Sequence, residues 1–256
     1  MSSLLTFALL LVGVSLLSFL SGMLGLGAAF ATIPYLSFFF TDIVREVQIL
    51  GLLINGFTAI SSALGFLKSG YLSKKDALAL VIITSAFAPI GSYLAYLTPV
   101  VYIWTIYILA VIYLSYKMWK GSGDQREEKL SRGNLSIAIL FAIPISILAG
   151  LLGVGPGFLL LPTLIMSGYS VKLAAGINAV AVSLPSFTAL IPRSKDFSLL
   201  FSSMPIKLTL LVLAVTITSY FGARVTARFI KPVTFKRVFV ITILAMTLIK
   251  LVQMIS

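Results

Sequence analysis

The feature that most constrains this chain is a string of apolar tracts, each long enough to cross or enter a lipid bilayer. They run 4–20, 24–40, 47–67, 77–97 and 100–119, then 135–152, 154–168, 173–192, 205–230 and 234–255. Between the two sets lies the one polar stretch of any length, KGSGDQREEKLSRGN, from Lys120 to Asn134. A helix needs about 20 apolar residues to span a ~30 Å hydrocarbon core. Composition agrees: 10% of the residues are charged and the mean hydropathy is +1.11, against about a quarter charged in a soluble domain. The sequence therefore predicts an all-α, polytopic membrane protein. The opening MSSLLTFALLLVGVSLLSFL has no basic leader and no clear A-x-A cleavage site, so it reads as a retained membrane helix.

The two sets repeat. Gly22, Gly25, Gly27, Phe30 and Pro34 precede Gly150, Gly153, Gly155, Phe158 and Pro162 by a constant offset. Asn55 then matches Asn178, Lys68 matches Arg193, and Gly91 matches Gly222. An ordered series of this kind argues for duplication. The expected organisation is a first repeat over 1–119, a cytoplasmic linker over 120–134 and a second repeat over 135–256. Five crossings per half would invert the second half relative to the first. With all tracts crossing and the linker inside, 14 of the 19 lysines and arginines fall on the inner side, as the positive-inside rule favours. That rule also accounts for the net charge of +12 without nucleic acid, which is not expected as a partner.

Two tracts are broken by the same residues. SGMLGLGAAFATIPYL covers Ser21 to Leu36, and AGLLGVGPGFLLLPTL covers Ala149 to Leu164. As helices, the stretches 24–40 and 154–168 are short, Gly/Pro-broken or re-entrant. About 15 residues rise only ~22 Å. Glycine admits backbone angles that other residues resist, and proline removes an N–H. Freed backbone groups in lipid must face protein or water, so these turns are expected to line a cavity. Broken helices at matching places in two halves point to a transporter site, and helix N-termini suit an anion. The candidate substrate-binding residues are Gly25, Gly27, Asn55, Ser61, Gly153, Gly155, Gly157, Asn178 and Ser183. Thr58, Ser62, Ser186 and Thr188 surround the asparagines along the chain. Lys68 and Arg193 each close one of these polar helices and are candidates for gating or anion attraction.

Absent chemistry narrows the function. The chain has no histidine and no cysteine, so the common metal ligands and the usual proton shuttle are missing. No metal or cofactor is expected. All seven acids fall in predicted loops, leaving no carboxylate at mid-membrane to relay protons. A serine hydrolase would lack its base. An enzyme is therefore not expected.

With these residues in view, the chain resembles the TauE/SafE family of sulfite-exporter-like permeases. GMLGLGAAFATIPYL with INGFTAISSALGFLKSG, and GLLGVGPGFLLLPTL with AGINAVAVSLPSFTALIPRSK, carry the resemblance over nearly the whole length. Ala28 and Ala29 depart from the fuller glycine run of such proteins. The resemblance implies a multi-pass cell-membrane transporter of sulfite, sulfonate or another sulfur-containing organic anion, working by alternating access. Its partners would be the small anionic substrate and the lipid bilayer, and a homodimer is compatible with the sequence. An anion channel and, further off, a membrane scaffold are the alternatives.

Overall fold

A computed structural model turns the apolar tracts into a bundle of helices. It describes residues 4–99 and 131–231, with scattered positions in 101–116 and 233–252. Most of the linker 120–134, and parts of the tracts 100–119 and 234–255, lie outside the described residues. Among the described residues there is no strand. The helices are α1 (Leu4–Leu24), α2 (Ala29–Leu36), α3 (Gln48–Leu67), α4 (Lys74–Leu94), α5 (Leu135–Leu152), α6 (Gly157–Met166), α7 (Val171–Thr188), α8 (Ser194–Ser203) and α9 (Pro205–Phe229). A π-helical turn (Ile43–Val47) opens into α3, and a 3-10 turn (Ile191–Arg193) opens into α8. Among the described residues, six spans are long and apolar enough to cross a membrane.

Local chemistry places the ends. Asp42 caps the π turn, accepting from Val44 N (3.1 Å) and Arg45 N (2.9 Å). Asn134 caps α5 through Ser136 N and Ile137 N. Pro205 opens α9, where its missing N–H is no loss. Three boundaries differ from the sequence reading. The tracts 24–40 and 154–168 yield only α2 and α6, because the glycine turns take up their first residues. The tract 173–192 stops as a helix at Thr188 and ends in the 3-10 turn, and the stretch 193–204, read as a loop, holds α8. Asp76 and Asp196 lie in the first turns of α4 and α8, and Glu46 in the π turn, rather than in loops. Acids favour those positions because a helix N-terminus carries partial positive charge.

Small residues let the long helices touch. A Cβ added at Gly22 or Gly222 would overlap the facing backbone between α1 and α9. One added at Gly91 or Gly150 would do so between α4 and α5. Close backbone approach of this kind is how helices associate in lipid. α3 and α7 lie against each other in the middle, α3 also on α9 and α7 also on α4.

The short helices fold back on the long ones. Tyr35 at the end of α2 donates its hydroxyl to Leu9 O at 2.8 Å, so α2 returns to the end where α1 began. Asn134 N, before α5, donates to Ser167 O, after α6, at 2.8 Å. At one end of the bundle stand Arg45, Arg193 and Lys207. At the other stand Lys68 over Tyr220, Lys172 bonded to Ala227 O and Arg224 bonded to Ser69 Oγ.

Candidate functional site

Both glycine turns end their long helices the same way. Leu26 N donates to Ser21 O and Gly25 N to Gly22 O; Val154 N donates to Ala149 O and Gly153 N to Gly150 O. This is the Schellman closure, which needs a left-handed residue just past the helix. Gly25 (φ +64°) and Gly153 (φ +69°) supply it. A second left-handed glycine follows in each, Gly27 (φ +70°) and Gly155 (φ +71°). The chain then enters α2 and α6, with Pro34 and Pro162 each inside the short helix.

The two turns meet at one side chain. A Cβ on Gly27 would overlap the carboxamide of Asn55, and so would one on Gly155. Asn55 Oδ1 accepts from Ala29 N at 2.8 Å, and its Nδ2 donates to Ser186 Oγ at 2.8 Å. Asn55 thus caps α2 in its own half and reaches α7 in the other. Thr58 Oγ1 takes the neighbouring Ala28 N–H at 3.0 Å. Asn178 also joins the halves, donating to Gly25 O (2.8 Å) and Gly157 O (3.1 Å). Both asparagines are fully buried. A carboxamide in such a place is costly unless bonded.

The second turn is the less satisfied one. Pro156 stands where Ala28 stands in the first and has no N–H. Ala181, which matches Thr58 when the asparagines are aligned, has no hydroxyl. The N-cap residue of α6, Pro156, supplies no capping side chain. Asn178 Oδ1 is buried without a partner.

Arg193 is the other exceptional residue. A candidate for gating or anion attraction, it is fully buried. Its Nε donates to Ser92 Oγ (2.7 Å), and its Nη1 to Val44 O (3.0 Å) and Gln48 Oε1 (2.6 Å). The guanidinium lies 5.7 Å from the centre of the Tyr96 ring. None of these partners is a carboxylate, and Nη2 has no partner. Asp196, whose charge is felt there, accepts instead from Tyr96 Oη at 2.6 Å. The Gln48 side chain also lies over Gly153, where an added Cβ would come within 2.8 Å of its Cβ, Cγ and Cδ. One carboxamide therefore separates the buried cation from the second turn.

Some expected residues are not brought here. Ser61 Oγ donates to Thr216 O on α9, and Ser183 Oγ to Val180 O in its own helix at 2.7 Å. Their neighbours Ser62, bonded to Gly22 O, and Ser186, bonded to Asn55, face inward instead. A rotation of about 100° per residue separates such neighbours on a helix. Lys68 is exposed at the end of the bundle away from Arg193. Sequence reasoning missed Gln48, Ser92 and Tyr96. Gln48, a carboxamide at the start of the tract 47–67, was the available signal.

The turns are packed inside the protein rather than open to solvent. Every residue of 25–28 and 153–156 is buried, and side chains satisfy the broken backbone. Two clefts of about 390 Å³ lie elsewhere. One is apolar, between α5 and α6, with Phe141, Leu148 and Leu159 in its walls. The other is polar, at the Arg193 end, walled by the segments 41–46 and 196–203.

The family model described as Sulfite exporter TauE/SafE matches residues 9–249. The chain belongs to the TauE/SafE family. No curated protein and no solved structure matches it. Membership together with six candidate spans makes this TauE/SafE chain a multi-pass membrane protein of a transporter family.

Proposed function

We propose that this protein carries a small oxyanion, sulfite, a sulfonate or another sulfur-containing organic anion, across the cell membrane by alternating access. The observation that carries this reading is the convergence of two equivalent helix breaks on the single carboxamide of Asn55. Two halves joined at such a point, through Asn55–Ser186 and Asn178–Gly25, form a hinge that can open to either side. The halves 1–119 and 135–256, inverted about the membrane plane, would rock against each other around it.

The glycine turns, with Asn55 and Asn178, are the proposed anion-binding elements. The second turn has the stronger claim, because Pro156, the residue before α6, supplies no capping side chain of its own and a helix N-terminus suits a negative group. The unpartnered Asn178 Oδ1 needs a donor, and a protonated oxyanion such as hydrogensulfite brings one. A proton carried on the substrate also fits a site with no carboxylate or histidine. The sealed turns favour a carrier over an open channel. The chain works with no cofactor and catalyses no reaction. Lipid surrounds it, and a homodimer is the proposed assembly.

Reconstitution tests this. Proteoliposomes should take up labelled sulfite or methanesulfonate saturably and show counterflow. Flux no faster than in empty vesicles, for sulfite, sulfonates and small carboxylates alike, would remove the transport reading. Single-channel currents would replace the carrier by a pore.

A further inference from the structure

Arg193 is a buried charge with no carboxylate among its hydrogen-bond partners; Asp196 acts on it only from further off. Taking a guanidinium out of water costs several kcal/mol unless an anion and a full set of acceptors compensate it. Here three neutral acceptors compensate it in part: Ser92 Oγ, Val44 O and Gln48 Oε1. One prong of the fork, Nη2, is buried and unused. A chain built for stability alone would place a carboxylate or an apolar residue in such a position. A chain that receives an oxyanion must leave the fork's charge unmatched until the anion arrives.

Three carboxylates, Asp42, Glu46 and Asp196, line the polar cleft beside Arg193 together with Arg45, and each keeps its charge while accepting hydrogen bonds from neutral donors. Asp42 accepts from two backbone amides, Glu46 from Asp42 N (3.2 Å), and Asp196 from Tyr96. The polar cleft is walled by the two segments that flank Val44 and Arg193. Gln48 both holds Nη1 and lies over Gly153 of the less satisfied turn.

We infer that Arg193 is the charge partner of the transported oxyanion, and that Gln48 Oε1 is an internal stand-in which the anion displaces. The guanidinium presents two parallel donors to a sulfite or sulfonate group, a geometry matched to planar pairs of oxygens. Displacement frees the Gln48 side chain from Gly153, and the second turn loses the packing that seals it. Binding and opening are thereby the same event. The inference deepens the transport reading above and rests on it.

Replacing Gln48 separates the outcomes. In Gln48→Glu a permanent carboxylate occupies Arg193. The full-length protein in detergent should melt no lower than wild type, yet bind sulfite and methanesulfonate at least tenfold more weakly by calorimetry. A purely structural Arg193 would give the same stability with unchanged affinity, and that result overturns the inference. Gln48→Leu is the second variant. It removes the competing acceptor, so sulfite affinity should rise several-fold although the melting temperature falls. Unchanged or weaker affinity there overturns the inference whether or not Gln48→Glu folds. A wild type that binds neither anion overturns it as well. Binding that shifts as stated in a protein that shows no flux would sink the transport reading and leave the Arg193 site standing.

Discussion

Gly27 and Gly155 do two things that no other residue type does together. Each holds a positive φ, and each lets the Asn55 carboxamide lie against its α-carbon. Gly70 provides a control: its φ is +81° but nothing lies within 4 Å of an added Cβ. Gly70→Ala should therefore cost only backbone strain, about 1 kcal/mol. Gly27→Ala also displaces Asn55 and uncaps Ala29 N–H, adding about 1–3 kcal/mol for a buried unpaired group. Denaturation midpoints in detergent should rank Gly70→Ala near wild type and Gly27→Ala well below it. Equal midpoints would mean that Asn55 is free to move aside.

At the scale of elements, the loop after α4 and the start of α8 are tied by the Tyr96–Asp196 hydrogen bond. Burial, and then the Asp196 bond, push the Tyr96 phenol up to about 12 from its ordinary 10.0. The folded form keeps its proton where the unfolded chain has lost it. The stabilisation is therefore whole below pH 10 and drains away as pH rises towards about 12. Stability measured across pH 9–12 should fall in wild type and fall less steeply in Tyr96→Phe. Parallel curves would show that this tie carries no linkage. α8 is not legible as a helix in the sequence, because its residues, SKDFSLLFSS, mix polar and apolar types and form no apolar tract. The glycine turns were visible, because positive-φ glycine and proline act on the backbone locally whatever packs around them.

For the whole molecule, the cations sort to two ends. The absence of native cysteine makes that arrangement simple to test. Ser69→Cys sits at the Lys68–Arg224 end and Ser203→Cys at the polar cleft near Arg45. In oriented cells a membrane-impermeant maleimide should label Ser203→Cys from outside, and Ser69→Cys only after permeabilisation. Labelling of both from one side would refute the proposed inverted arrangement and the cytoplasmic placement of the Lys68 end.

The sequence by itself determined the solvent, the helical class, the family and the two places where helices break. These depend on composition, length and local backbone chemistry. Tertiary structure alone decided that Ser62 and Ser186, not Ser61 and Ser183, turn inward, since helix rotation is set by the neighbours a helix packs on. It also decided that the turns are sealed and that Arg193 is buried against Gln48. Those facts arise from side chains far apart in the chain meeting in three dimensions, and no local pattern records which of them will meet.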